Sequence, residues 1–345
     1  MTILLRFIIF ILLIFLGLNS CDSSSSHEQC EHCGGNFVVE IPYKPITLFP
    51  PSVDDEVSAN VVNQIHMGLL RFDPASSTIQ PGLARAWDVD NTGTKFIFYL
   101  DSTVYFHDDP CFAYGNGRQV TAHDVQFSLY YLASQRSENK NFALVSRIKG
   151  AKDYYLLPEI DADAHISGIK VLDEFIVQIE LETPASIFLT HLARPSAAII
   201  PHEAVAKYGK DMTVGAGPFV FQSVDNENTW LLTKNYNFSK QDESQTSLPY
   251  LDSVSFRFSK KEDETISLFL HNKLDAMLYV PNIRIPVIVD SLEEVGVDDY
   301  VLYNSTPQTS NLSENYLYNI VSKNIHNLYT NNMHLIDAMI IYKQK

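Results

Sequence analysis

An α/β fold is what this sequence predicts, on three observations. Segments that alternate apolar and polar residues are interleaved with stretches whose apolar residues recur every three to four positions, the periods of strand and helix. Strands come in runs with helices between them, which argues for mixed α/β or α+β architecture and against a strict βαβ array. Apolar residues make up 46% of the 345 residues, average globular composition, so a sizeable core is available.

The elements follow in order. Phe37-Val38-Val39-Glu40-Ile41-Pro42 is an extended piece. Asp54 and Asp55 offer N-cap oxygens to a helix whose Val57, Val61, Ile65 and Leu69 form one apolar stripe. Asn91-Thr92-Gly93 is a turn leading into a buried strand, Phe96 to Leu100. Thr121-Ala122-His123-Asp124 is a capping-box start, with Val125, Ser128, Leu129 and Leu132 on one helical face. Ile169 and Val171, a Leu172-Asp173-Glu174 turn, then Phe175, Val177, Ile179 and Leu181 in alternation predict a hairpin. Thr183 at N-cap and Pro184 at N1 predict another helix. Phe219 to Val224 and Trp230 to Thr233 flank a polar turn, Asp225 to Asn228, as a second hairpin. Val254, Phe256 and Phe258 alternate in a half-buried strand, and Ile266, Phe269 and Leu270 continue as a short amphipathic helix.

The amino terminus carries an address. Arg6, an apolar run from Phe7 to Leu18, and small residues before Cys21 have the tripartite pattern of a secretory signal peptide. The run is short for a membrane span, which needs roughly 20 residues. Leu18-Asn19-Ser20-Cys21 resembles the bacterial lipobox, which implies lipidation at Cys21 and cleavage after residue 20. Ser23 to Ser26 cannot bury apolar surface and read as a flexible tether within residues 21–36. The mature protein is thus expected to be anchored to a membrane and to work outside the cytoplasm, and Asp22 resembles an inner-membrane retention signal.

Net charge is −16, which argues against nucleic acid and against polybasic adhesion to lipid, since both need Lys/Arg patches. Cys30-Glu31-His32-Cys33, with His27, has a spacing that suits zinc. No second pair follows at structural-site spacing, and export favours a local disulfide or two inert thiols near a flexible terminus, so no metal or other cofactor is expected. Cys111 reads as a small buried or loop residue.

Ser58 to Asp73, Ser-Ala-Asn-Val-Val-Asn-Gln-Ile-His-Met-Gly-Leu-Leu-Arg-Phe-Asp, resembles a signature of the family 5 extracellular solute-binding proteins, the peptide, dipeptide and nickel-binding components of ABC importers. The resemblance continues through Pro81 to Val89, Phe96 to Leu100, Val104 to Asp109 and Val120 to Val125. It recurs far downstream at Val214-Gly215-Ala216-Gly217-Pro218-Phe219 and from Tyr250 to Ala276. Gly215 and Gly217 permit positive φ or close backbone approach and Pro218 fixes the exit of that turn, a structural role.

The resemblance implies a bilobed clamp of the type II periplasmic-binding-protein kind, closing on an extended ligand. Residues 37–280 would form the first lobe, mostly present. Residues 281–345 would be the start of the second lobe or a divergent tail, because the pattern thins after Tyr279. The second lobe is expected to be incomplete, together with the return segment of the first and an acidic partner for a peptide's α-amino group.

The function implied is capture of a short peptide for delivery to the permease subunits of an ABC transporter. Peptide capture without sequence preference needs backbone donors, backbone acceptors and wet pockets more than fixed side chains. The ligand-binding loops implied are Tyr43-Lys44-Pro45-Ile46, after the opening strand, and the loop at Asn141-Phe142. A nickel or metal chelate or haem in the same clamp, or a non-transporting remnant, are the alternatives. No enzyme is expected, since Gly-x-Ser-x-Gly, His-Glu-x-x-His and phosphate-binding glycine loops are absent. His107-Asp108-Asp109 and His123-Asp124 offer adjacent residues that point apart on a strand or a helix.

Overall fold

The computed structural model describes residues 33–73, 78–159, 164–222, 228–241, 245–258, 262–294, 300–304 and 317–322, all within the unit His32–Lys345. The leader, Cys21, the Ser-rich tether, Cys30 and the turn residues Asp225 to Glu227 lie outside them. Cys33 is disulfide-bonded, and Cys111 is a free, half-buried thiol.

The opening strand, β1 (Asn36–Glu40), sits in the middle of the largest sheet among the described residues. It runs parallel to β10 (Ser253–Arg257) on one side and β11 (Ala276–Pro281) on the other. Beyond β10 come β9 (Thr229–Lys234) and β8 (Phe219–Gln222), an antiparallel hairpin. Beyond β11 come β13 (Leu317–Ser322) and β12 (Tyr300–Asn304), also antiparallel. The described strands from 281–345 thus extend this same sheet.

β1 reads Phe-Val-Val without polar alternation because both its faces are covered. Phe37 and Val39 pack with α1 (Glu56–Ile65), while Val38 packs with the core of α6 (Glu262–Leu270) and α7 (Ile285–Glu294). Asp55 caps α1, its carboxylate accepting from Ser58 N at 2.8 Å. Val57, Val61, Val62 and Ile65 are buried against the sheet. The helix ends there, because His66 turns to extended backbone (φ −112°, ψ 160°). Leu69, the fourth residue of the expected stripe, consequently leaves the helix and enters a different core.

That other core stands on a four-stranded antiparallel sheet ordered β4 (Ala84–Val89), β5 (Lys95–Leu100), β7 (Ile176–Glu180), β6 (Ile169–Asp173). Phe96, Phe98, Val177 and Ile179 line one face, and α2 (Ala122–Leu132) contributes Val125, Leu129 and Leu132 to the same core. Thr121 and Asp124 form the expected capping box. The hairpin β2 (Leu70–Asp73) and β3 (Thr78–Pro81) leads from α1 into this region. Short helices α3 (Ala151–Tyr155), α4 (Phe188–Leu192) and α5 (His202–Tyr208) complete it. The helix expected from Thr183-Pro184 starts only at Phe188; just before it, Leu181 N and Glu182 N donate to the carbonyls of Thr94 and Arg147.

The two cores meet where residues 214–219 cross the carboxyl end of α1. Val214 and Ala216 belong to the four-stranded core and Phe219 to the seven-stranded one. Gly217 N donates to Ile65 O at 2.9 Å. A methyl group at 217 would sit 2.6 Å from the Ile65 carbonyl carbon, and one at 215 would overlap the Ile65 carbonyl oxygen. Close approach, and not positive φ, is therefore what these glycines supply. Gly215→Ala is expected to cost about 3 kcal/mol or more in urea unfolding; stability equal to the parent would show that the junction tolerates a gap.

Candidate functional site

Parallel strands share a direction, so β1, β10 and β11 place their carboxyl ends along one edge of the sheet, where open α/β sheets bind ligands. Tyr43 to Ile46 follow β1 at this edge, and Asn282–Arg284 follow β11. Apolar side chains stand in solvent there: Ile46 is 69% exposed and Ile283 is 82% exposed. Glu40, the last residue of β1, is buried and accepts from Thr265 Oγ1 at 3.0 Å, which ties α6 to the same edge.

Local contacts hold the first loop. Tyr43 OH donates to Asp55 Oδ1 at 3.3 Å, and Ile46 N donates to Ser58 Oγ at 3.0 Å. Lys44 Nζ lies 5.6 Å from the centre of the Trp230 ring, and Pro45 is buried. Burial, then the neighbouring Asp55 carboxylate, raises the Tyr43 phenol above its ordinary value.

The second loop reaches the same end of α1 from the other core. Lys140 Nζ pairs with Asp54 at 2.7 Å. Asn141 Nδ2 donates to the carbonyls of Pro51 at 3.0 Å and Val53 at 2.8 Å. Phe142 stacks on Tyr155, ring centres 4.0 Å apart. The structure thus brings both expected loops to the stretch 50–58. It gives the Asn141 amide a positional job, steadying that stretch, and leaves Phe142 partly accessible.

A second concavity lies along α1, lined from Glu56 at the amino end of the helix to His66 just past its carboxyl end. It measures about 650 Å³ and is lined by His66, Leu70, Arg71, Arg194, Phe238 and Lys240 among others. None of Tyr43 to Ile46, Asn141 or Phe142 lines it.

Two buried histidines lie near the glycine turn, and one of them, His107, holds it. His107 Nε2 donates to Gly217 O at 3.0 Å, its Nδ1 accepts from Gly215 N at 3.3 Å, and its own N donates to Gly215 O at 2.8 Å. Asn235 Nδ2 adds a donor to Gly217 O at 2.9 Å. His66 Nε2 donates to Leu48 O at 3.2 Å. Burial pushes His107 down to about 4, and burial together with the nearby His107 pushes His66 down to about 3, so both rings stay neutral. Sequence reasoning missed this latch. His107 and the Gly-Ala-Gly-Pro turn were each visible, but only topology pairs positions 108 residues apart.

The acidic neighbours of the histidines serve the scaffold too. Asp108 Oδ1 accepts from Gly117 N at 2.8 Å, and Asp109 Oδ1 from Cys111 N at 2.7 Å and Tyr208 OH at 2.8 Å. Asp124 caps α2 and receives Arg118 through both oxygens, at 2.8 and 2.6 Å, while Arg118 also grips Glu203. Exposed His123 points away from its buried neighbour Asp124. Among the described residues no three His, Cys, Asp or Glu side chains are grouped to hold a metal ion, and no helix is long and apolar enough to cross a membrane.

Residues 78–323, well over half of the chain, match the bacterial extracellular solute-binding proteins, family 5 Middle. Haem-binding protein A of Haemophilus influenzae is 25% identical over 312 residues, 84% of this chain and 54% of that protein. Di/tripeptide-binding protein 1 of Pseudomonas aeruginosa is 26% identical over 253 residues, 69% of this chain and 44% of its own length. The periplasmic oligopeptide-binding protein OppAIV of Borrelia burgdorferi superposes with a TM-score of 0.64 at 26% identity, covering 78% of this chain and 51% of that one. DppA of Helicobacter pylori in complex with the peptide STSA shares the fold, with TM-score 0.64 at 22% identity, over 79% of this chain and 51% of that one. The chain spans about half the length, or less, of the relatives it matches.

The latch histidine His107 and its buried neighbour His66 share a pH signature. Unfolded histidine takes its proton near pH 6.5, whereas the folded rings resist it until about 4 and about 3. The folded state binds fewer protons, so this contribution is fully present above pH 6.5. It falls as pH drops toward 4, by up to about 1.4 kcal/mol per pH unit for each ring. His107→Gln is expected to cost about 1–3 kcal/mol at pH 7 and to flatten that acid loss. Superimposable melting curves for the two proteins between pH 7 and 4 would remove the assignment.

Proposed function

Because the chain belongs to the bacterial extracellular solute-binding proteins of family 5, we propose that it is the lipid-anchored, substrate-binding component of an ABC importer, capturing short peptides for a membrane permease. Family 5 proteins work outside the cytoplasm, and the family and fold are those of non-enzymatic binders. The observation that carries the peptide reading is the convergence of Tyr43 to Ile46 and the loop at 140–142 on one end of α1, beside the carboxyl ends of the parallel strands. Exposed loop backbone and accessible aromatic rings at such an edge suit a ligand held by its main chain. The relative named for di- and tripeptides and the solved DppA–peptide complex support the same class.

Haem is the second reading, favoured by the relative that matches 84% of this chain; a nickel or other metal chelate belongs with it. Residues 37–280 are proposed as the first lobe of the clamp, with 281–345 as the start of the second lobe or a divergent tail. Cys21 is the proposed lipid attachment point, behind the signal peptide of residues 1–20.

Calorimetry of the mature chain against a di- to hexapeptide pool is expected to show saturable heat, and ligand raises the melting temperature by mass action. Tyr43→Ala and Phe142→Ala are each expected to weaken binding by about fivefold or more, roughly 1 kcal/mol. Saturation by haem or Ni²⁺ with no response to peptides would replace peptide with the second reading.

Cys21→Ala is expected to abolish incorporation of labelled palmitate and to shift the protein from membrane to soluble fraction. Unchanged labelling would place the lipid elsewhere or nowhere.

A further inference from the structure

The concavity that runs along α1 is large enough for a ligand of its own. Its volume, about 650 Å³, falls within the range of small-molecule sites, roughly 300–1,000 Å³. Val62, Leu70, Phe238 and Leu248 give it apolar wall.

Its charge runs against that of the chain. Arg71, Arg194 and Lys240 line it against one acid, Glu56, in a protein of net charge −16. Lys240 is paired with Asp101 at 2.7 Å. Arg71 and Arg194 are exposed and make no ion pair among the described residues. The antiparallel bridge between Gly68 and Ala198 lays the segments bearing these arginines side by side. Guanidinium groups present planar forks that match a carboxylate, and two of them beside apolar wall define an amphipathic site.

We propose that this concavity is a second binding site, separate from the peptide edge, for an organic anion with a carboxylate head and an apolar body. Apolar wall takes the body, and Arg71 and Arg194 take the head. The site does not depend on the peptide reading, because it shares none of the residues assigned to that edge.

The test uses the intact chain, 4-phenylbutyrate as probe and its uncharged analogue 4-phenylbutyramide as control, read by melting temperature and calorimetry. Saturable binding of the acid at least fivefold tighter than the amide is expected. The preference should vanish in R71Q/R194Q and persist in Tyr43→Ala and Phe142→Ala. Both arginines are exposed, so the double variant is expected to keep its urea midpoint; if it does not fold, R194Q alone should weaken the acid several-fold. Absence of saturable binding, equal affinity for acid and amide, or arginine variants that bind as the parent does would overturn the site. Loss of binding in the Tyr43 or Phe142 variants would assign the probe to the peptide edge and overturn it equally. A peptide-pool titration run on the same samples keeps failure of this site distinguishable from failure of the peptide reading.

Discussion

The contact on which the rest of the structure depends is the backbone-on-backbone seating of Gly215 and Gly217 against the end of α1. Two cores with different sheets must be held at a fixed offset, and side chains alone would leave that offset soft. Here the approach is so close that a methyl group has no room at either glycine. Hydrogen bonds from Gly217 N to Ile65 O and from His107 and Asn235 to Gly217 O fix its direction as well as its distance. An imidazole suits the task because, when neutral, it donates from one nitrogen and accepts at the other. Burial keeps it neutral, so the geometry that needs the tautomer also secures it.

This junction decides what each end of α1 can do. The helix belongs to the seven-stranded sheet, yet its last turn is clamped by segments of the other core. Its amino end is therefore presented at a defined angle, with Asp54 and Asp55 gathering the 140–142 loop and Tyr43 around it. One flank of the helix, from Glu56 to His66, lines the arginine-bearing concavity. The placement of both surfaces follows from where the helix stops, and it stops because His66 leaves helical backbone to put Leu69 and Leu70 into the second core.

Much of this was legible in the sequence where information is local. Asp55 and Thr121 announced their helices through capping chemistry, and the Phe175 to Leu181 alternation announced a hairpin, because each signal needs only a few neighbours. Thr183-Pro184 offered the same local signal, and the helix starts only at Phe188, which no short-range signal marks. The Gly-x-Gly turn was legible as a turn, but its partner was not, since Ile65 and His107 are joined to it only by topology. The loops at Tyr43 and Asn141 were singled out through resemblance. What the structure adds is their common seat and the difference between Asn141, whose amide is bonded to backbone, and Phe142, whose ring remains accessible.

A peptide receptor is hard to read from side chains for a physical reason. Main-chain recognition draws on carbonyls and N–H groups that every residue possesses, so selection at such an edge acts on backbone position and leaves side chains free to vary. The residues that must stay fixed are then those that set the backbone, here the glycines, His107, Asn235 and the caps of α1 and α2. A carboxylate site obeys the opposite rule. Its affinity sits in a few charged side chains whose removal leaves the fold intact, which is why exposed arginines on an acidic protein carry more functional information than its far more numerous buried aliphatics.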